Sequence, residues 1–126
     1  MQDISVKLLL LLSVLFASSG QVLFKKGMLK FSELSFNGGI GAVIRTLTSV
    51  IFSPTILIGL ILYGVSTLTW LFALSKTRLN YAYPYTALTF ILVMLASYFI
   101  FSEPLPVNRI AGVAIICIGV IIASIK

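Results

Sequence analysis

The sequence predicts an all-α membrane protein with four transmembrane helices. Of its 126 residues, 60% are hydrophobic and only 10% are charged. The mean hydropathy is +1.15, which is too apolar for the surface of a soluble domain of this size. Four apolar runs are long enough to cross the roughly 30 Å hydrocarbon layer as helices. Because these runs do not alternate with polar residues, helices are favoured over a β-barrel.

The four helices are expected to form a single domain over residues 1–126. They are predicted at about residues 5–28, 54–75, 82–101 and 107–125. A cleaved signal peptide is the alternative for the first run, since Lys7 is followed by an apolar stretch and "ASSG". The apolar stretch continues past "ASSG" to Phe24 and three more runs follow, so a retained helix is favoured.

The long connection after the first helix contains a candidate interfacial helix at about residues 39–52. Val43, Leu47 and Val50 recur at helical spacing, with Arg45 and hydroxyl residues between them. An amphipathic segment too short to span is typical of a helix lying in the membrane interface. A flexible loop is the alternative. The other two connections, "SKTRLN" and "SEPLPVN", are short, which predicts antiparallel neighbouring helices.

Basic residues orient the chain only weakly. Four lie on the side of the termini (Lys7, Lys76, Arg78 and Lys126), and five lie on the other side (Lys25, Lys26, Lys30, Arg45 and Arg109). The small difference allows two copies to insert in opposite senses, as in transporters built from inverted pairs. A fixed topology with cytoplasmic termini is the alternative.

The residue types present argue against several functions. The net charge of +6 comes from basic residues in loops and at helix ends, where they face lipid headgroups, so nucleic-acid binding is not predicted. There is no His, and the single Cys117 lies inside the fourth helix, where packing is its expected role. The sequence therefore predicts neither an enzyme nor a metal site, and no cofactor.

Two patterns indicate helix contacts and a polar cavity. Gly112 and Gly119 are seven residues apart on one face of the fourth helix, which suggests dimer packing or, alternatively, packing within one subunit. The third helix opens with "NYAYPYTALTF". Its tyrosines suit a membrane interface, but hydroxyl and ring groups further inward are expected to face a partly polar cavity between the first three helices. These groups are Thr86 and Thr89 of the third helix and Tyr63, Ser66, Thr67, Thr69 and Trp70 of the second. Tyr83 and Tyr85 are also candidate substrate contacts.

"SSGQVLFKKGM", residues 18–28, combines a Gln and two lysines at the end of the first helix. Gln21 lies four residues before Lys25 and therefore on the same face, where the two side chains form a donor pair suited to phosphate. Lys26 is about 100° away and is expected to anchor the helix end at the headgroups. Anchoring by both lysines is the alternative.

Carboxylates are scarce. Asp3 is near the N-terminus, Glu33 is in the first loop and Glu103 follows the third helix, so none lies at a bilayer midplane. An intramembrane charge would have indicated a site for a cation or proton. Glu103 is a candidate substrate contact, with a simple loop acid or a partner for the fourth helix as alternatives.

The chain resembles the small members of the drug/metabolite transporter superfamily from about residue 8 to the end, except in the first loop. Two branches are relevant. Small multidrug resistance proteins share the length, the Gly and Lys of the first helix and the glycine pair of the fourth. In that family a glutamate three residues before the first-helix Gly binds the cation and the proton. Here that position is Ala17, which puts drug–proton antiport in doubt.

The aminoarabinose-phosphoundecaprenol flippase subunits are the closer resemblance. It rests on Gly20-Gln21, Lys25, Trp70-Leu71, Ala82-Tyr83-Pro84 and Glu103-Pro104. It implies a multi-pass inner-membrane protein that flips a polyprenyl-phosphate-linked sugar between leaflets, as a homodimer or a heterodimer with a related subunit. It also implies that Gln21 and Lys25 meet the phosphate. A cation or polyamine exporter and a non-transporting accessory subunit are the alternatives.

Overall fold

The computed structural model describes residues 3–31 and 37–125, and this part of the chain is helical with short connections. Glu33 of the first loop and Lys126 lie outside the described residues. The helices are α1 Ile4–Met28, α2 Gly39–Ile51, α3 Pro54–Leu74, α4 Leu79–Ala82, α5 Ala87–Phe101 and α6 Val107–Ser124. Short 3₁₀ turns follow α1 and α4, at Leu29–Phe31 and Tyr83–Thr86.

The predicted fold class is confirmed. Four helical segments are long and apolar enough to span a membrane: Ile4–Phe31, Pro54–Leu74, Leu79–Phe101 and Val107–Ser124. The predicted short helix in the first loop is present as α2, and its position in the membrane interface stays a prediction. So does the assignment of residues 1–126 to one domain.

Prolines account for the helix ends that matter for the site. Pro54 occupies the first turn of α3, where its missing N–H costs no hydrogen bond. The third span begins at Leu79, three residues before the predicted start, and changes to a 3₁₀ turn at Tyr83–Thr86. Pro84 lies within that turn and cannot donate the backbone bond that a continuous α-helix would need.

The tightest packing in the bundle joins α1 to α3 in antiparallel fashion. Ser13 contacts Ser66, whose hydroxyl donates to the Ser13 carbonyl at 2.7 Å. Towards the other end of α1, a Cβ on Gly20 would lie 3.0 Å from the carbonyl oxygen of Gly59. Gly27 lies against the side chain of Ile56, where a Cβ would approach Ile56 Cδ1 to 2.7 Å. Small residues therefore let the two backbones approach closely, as is usual where lipid removes the hydrophobic drive.

The remaining spans are attached more loosely. α5 packs on α1, and α6 packs on α5 and on the Tyr83–Thr86 turn. A small buried cluster formed by Val6, Leu10, Ala73 and Ala82 holds the end of the bundle that carries the N-terminus. We call this the terminal end, and we call the opposite end, with residues 102–106, the loop-three end. Cys117 on α6 is half-buried.

Candidate functional site

A cavity of about 720 Å³ lies between α1 and α3 on one side and α5 and α6 on the other. Its walls combine apolar residues with hydroxyl, amide, aromatic and guanidinium groups. The polar and aromatic lining residues are Ser13, Gln21, Tyr63, Ser66, Thr67, Trp70, Tyr83, Thr86, Thr89, Phe90, Ser97 and Arg109. The predicted polar cavity between the first three spans is therefore present, and the fourth span also contributes to it.

Aromatic rings form the part of the cavity nearest the terminal end. Trp70 of α3 and Tyr83 of the 3₁₀ turn pack edge to face, with their ring centroids 6.3 Å apart. Thr86 donates its hydroxyl to the Tyr83 carbonyl at 2.6 Å. This bond fixes the side chain and leaves the oxygen lone pairs as acceptors for a ligand.

Hydroxyl groups line the middle of the cavity. Thr67 donates to the carbonyl of Tyr63 at 2.9 Å, and Ser66 donates across the helix interface to Ser13. Because each donor is already used within the protein, these oxygens face the cavity mainly as hydrogen-bond acceptors. The Tyr63 ring is held by Phe24 at a centroid distance of 6.0 Å.

The loop-three end of the cavity carries positive charge. Arg109 in the first turn of α6 lines the cavity together with Gln21 of α1 and Ser97 of α5. Pro106 ends the loop immediately before α6 and sets its first turn. A guanidinium offers up to five N–H donors and stays charged, so this end is suited to a phosphate or carboxylate.

A second charged cluster adjoins this end. Lys25 Nζ lies 3.5 Å from Glu103 Oε1, and the Ser97 hydroxyl donates to the other carboxylate oxygen of Glu103. Ser102 adopts a left-handed conformation with φ 52° at the end of α5. This turns the chain back so that the Glu103 N–H donates to the Ser97 carbonyl at 3.2 Å. Glu103 is thus held by both its backbone and its side chain.

The surroundings of Glu103 favour its ionised form. The hydrogen bond from Ser97 lowers the pKa of the Glu103 carboxyl below its ordinary value, and the charges of Lys25 and Arg109 lower it further. Partial loss of water acts in the opposite direction. Glu103 is therefore a carboxylate at neutral pH, paired with Lys25 of α1 and under the influence of the Arg109 charge of α6.

The predicted site residues fall into three groups. Gln21, Tyr63, Trp70, Tyr83 and Thr86 line the cavity. The two predicted charges, Lys25 and Glu103, pair with each other beside the loop-three end and do not belong to the lining. Tyr85 is placed elsewhere, in a second groove that also contains Arg78, and its hydroxyl lies 3.4 Å from that of Tyr81.

Sequence reasoning missed three polar lining residues: Ser13, Ser97 and Arg109. In the sequence, Arg109 is one of several basic residues at a helix end. It lies four residues before the cavity-lining Val113 and therefore on the same face of α6, but the structure is needed to show that this face turns inward. Ser97 is one hydroxyl within an apolar span, and polar groups in that setting usually face a bundle interior.

The predicted dimer glycines face open space in the described part of the chain. A Cβ built on Gly112 or Gly119 meets no atom of the described residues within 4 Å. The alternative of packing within one subunit therefore finds no support, and dimer packing stays a prediction.

Comparison with known proteins finds flippase subunits. A probable 4-amino-4-deoxy-L-arabinose-phosphoundecaprenol flippase subunit ArnE from Pseudomonas aeruginosa is 37% identical over 75 residues, covering 60% of this chain and 65% of that protein. The corresponding ArnE protein of an Enterobacter species is 38% identical over 65 residues, covering 52% of this chain and 61% of that protein. The chain is similar to flippase subunits.

A longer match covers most of the chain. The probable flippase subunit ArnF of the same Enterobacter species is 28% identical over 117 residues, which is 91% of this chain and 91% of that protein. The ArnE matches each span slightly less than two thirds of the relative. No family model and no solved structure matches the chain. These relatives and the four apolar helices confirm the predicted resemblance and a multi-pass inner-membrane protein.

Proposed function

We propose that this protein is a subunit of a transporter that moves a polyprenyl-phosphate-linked sugar between the leaflets of the inner membrane. The observation that carries the proposal is the cavity between the spans, which has hydroxyl and aromatic groups along its length and a guanidinium at one end. The names of the similar proteins specify a substrate of the same class. Such a subunit transports its substrate chemically unchanged and is not an enzyme.

The phosphate would bind at the loop-three end. Gln21 and Arg109 line the cavity there, and Lys25 stands one helical turn beyond Gln21 on α1. Charge-assisted bonds from a guanidinium or ammonium to a phosphate are about twice as strong as bonds between neutral groups. Lys26 has no ion pair among the described residues, and we assign it to headgroup anchoring.

The sugar would occupy the middle of the cavity and its aromatic end. Hydroxyl oxygens such as that of Thr67 accept bonds from sugar hydroxyls, while Trp70 and Tyr83 offer ring faces to the apolar side of a sugar. The prenyl chain would remain in the hydrocarbon, where the exposed apolar surfaces of α3 and α6 also lie. A polar cavity for the head and lipid for the tail meet the needs of an amphipathic substrate.

Export of cations is the less well supported alternative. Ala17 lies in the cavity wall, at the position where the small multidrug resistance family has its essential glutamate. No lining residue among those described is acidic, and Glu103 is already paired with Lys25. A cationic ligand entering this cavity would find Arg109 and no counter-charge from the described lining.

The similar proteins are named subunits, so a partner subunit is part of the proposal. The open glycine face of α6 is where we expect a second chain, either a copy of this one or a related subunit. An accessory role without transport is the alternative, in which the partner carries the binding site.

A ligand-binding titration of the purified protein in detergent tests this proposal. The probes are a short polyprenyl phosphate and a lipophilic quaternary ammonium, and the readout is the melting temperature, which rises when a ligand binds only the folded protein. We expect stabilisation by the phosphate and none by the cation. In Ala17→Glu, which places a carboxylate in the cavity wall, we expect the preference to reverse. Stabilisation of the unmodified protein by the cation alone would favour the exporter, and stabilisation by neither would favour the accessory subunit.

A further inference from the structure

The charges at the loop-three end carry an inference about selectivity, which rests on the proposed function. Three charged side chains from three segments lie at this end: Lys25 from α1 and Glu103 from the loop between α5 and α6, which form an ion pair, and Arg109 from α6, which lines the cavity together with Ser97. Lys25 and Glu103 are 3.5 Å apart, and Arg109 lies close enough to lower the pKa of Glu103. Together the three side chains carry a net charge of +1. We call them the charge triad.

We propose that Glu103 is a specificity-determining residue that tunes the anion site to a phosphate carrying one negative charge. A lipid joined to a sugar through a single phosphate is a phosphodiester and carries one negative charge, which neutralises the triad. A lipid joined to a sugar through a diphosphate carries two negative charges and would leave an excess anion beside the Glu103 carboxylate. The structure therefore assigns to Glu103 a preference for the single-phosphate linkage.

The geometry supports an electrostatic role. The carboxylate is fixed by the Ser97 hydroxyl, and its backbone N–H is fixed by the Ser97 carbonyl. Ser97 itself lines the cavity, so the negative charge is held directly behind the cavity wall. A fixed like charge beside a binding site rejects a more highly charged ligand without touching it, which is how specificity often arises from repulsion.

A simple structural role makes a different prediction. If Glu103 served only to position Lys25, its removal would weaken the binding of both linkages by the same factor. The ratio of the two affinities distinguishes these roles, because repulsion acts on the second negative charge and positioning does not. Lys25 and Glu103 keep 51% and 39% of their side-chain surface exposed. Water and salt therefore screen the effect, and we expect a change of about three- to fivefold.

The test compares two synthetic lipids that share the same short prenyl chain and the same neutral sugar, one joined by phosphate and the other by diphosphate. Dissociation constants are measured at low salt for the unmodified protein, Glu103→Gln and Asp3→Asn. Asp3→Asn makes the same change of net charge at the opposite, terminal end of α1. We expect Glu103→Gln to strengthen the binding of the diphosphate lipid relative to that of the phosphate lipid by about three- to fivefold. Asp3→Asn should leave the ratio of the two dissociation constants unchanged.

A second measurement needs no mutation. Lowering the pH from neutral to below the ordinary range of a glutamate protonates Glu103, while both phosphate linkages keep their charge. The groups facing Glu103 from the packed elements are the basic side chains of Lys25 and Arg109 and the hydroxyl of Ser97. Because the pKa of Glu103 is lowered, the ratio of the two affinities should shift towards the diphosphate lipid only at a pH below the range in which a glutamate ordinarily titrates. In Glu103→Gln the same pH change should have no effect.

Three results would overturn the inference. The first is an unchanged ratio in Glu103→Gln, whether binding is retained or weakened equally for both lipids, and the second is an equal shift in Asp3→Asn. In either case the proposed function stands, because the unmodified protein still binds the phosphate lipid. The third is failure of the unmodified protein to bind either lipid, which would overturn the proposed function as well. If Glu103→Gln does not fold, the pH dependence of the unmodified protein decides between the two roles of Glu103.

Discussion

The α1–α3 pair and α6 both contain glycines at helical spacing but use them in opposite ways. Along α1 and α3, a Cβ at Gly20 would approach the Gly59 carbonyl to 3.0 Å, and serine hydroxyls join the backbones. On α6, Gly112 and Gly119 have open space beside them, and none of the helix is buried in the described chain. One interface is complete within the subunit, and the other is available to lipid or to a second chain.

This difference shows how the cavity is built. The α1–α3 pair is a rigid wall that positions Gln21 and Trp70, whereas α6 contributes Arg109 and is held mainly through α5 and the Tyr83–Thr86 turn. The Lys25–Glu103 ion pair links the rigid wall to the loop that precedes α6. A movement of α6 relative to α1 and α3 would therefore change the cavity at its cationic end first.

The largest effect is expected when the tight interface is broken. In Gly59→Leu the new Cβ would lie 2.9 Å from the Phe24 ring and 3.1 Å from the Gly20 carbonyl oxygen, so the helices must separate. We expect a loss of about 3 kcal/mol or more in the free energy of unfolding, measured in mixed detergents. Gly64→Leu on the same helix is the control, because its Cβ meets nothing within 4 Å. Equal stability of the two variants would show that the α1–α3 contact does not depend on glycine.

Lys25→Ala tests the link between the two regions and is expected to have the next largest effect. If Lys25 binds the substrate phosphate, its removal should abolish transport, because the loss of a charge-assisted bond weakens binding by at least about tenfold. The fold should stay intact, since the ion pair with Glu103 is half-exposed. Lys26→Ala should be milder. Transport is measured as the appearance of a labelled lipid-linked sugar in the opposite leaflet of proteoliposomes.

Normal transport by both lysine variants would show that the phosphate assignment at Lys25 is wrong. Normal transport by Lys25→Ala together with loss in Arg109→Ala would instead move the phosphate to the cavity-lining guanidinium. A melting curve for each variant separates a loss of binding from a loss of folding.

The sequence was sufficient to predict the elements that are indicated by a pattern of neighbouring residues. Apolar runs predicted four spans, and the amphipathic period after Gly38 predicted α2. It did not predict the start of the third span at Leu79, because the 3₁₀ turn at Pro84 interrupts the helical pattern without ending the span.

The site was harder to predict than the helices, because it depends on which side chains the fold turns towards the cavity. Gln21, Trp70 and Tyr83 line the cavity, and the sequence indicated them because they are polar or aromatic groups inside apolar spans. Arg109 was missed because a basic residue at a helix end is equally typical of headgroup anchoring. Which face of α6 turns inward depends on the loop that contains Pro104 and Pro106, and the sequence of α6 alone does not determine it.

Gly112→Leu combined with Gly119→Leu tests the open interface and is expected to change assembly more than folding. Because both sites have free space within the subunit, the stability of the monomer should change by no more than about 0.5 kcal/mol. If a second chain packs on this face, the dimer fraction in bilayers should fall. This fraction is measured by energy transfer between labelled chains. Ala114→Leu, which is about 200° from Gly112 around the helix, is the matched control. An unchanged dimer fraction would assign the glycine face to lipid.

The smallest effect is expected from Ser66→Ala, which removes one hydrogen bond from the tight interface and leaves its packing in place. The hydroxyl donates to the Ser13 carbonyl at 2.7 Å, and bonds of this kind between membrane helices contribute about 0.6 kcal/mol on average. Thr69→Ala is the control, since the Thr69 hydroxyl bonds to Val65 within its own helix. A loss in Ser66→Ala as large as that in Gly59→Leu would mean that polar contacts, and not close backbone approach, hold α1 against α3. A loss no larger than that in Thr69→Ala would leave the glycines as the main cause of the tight contact.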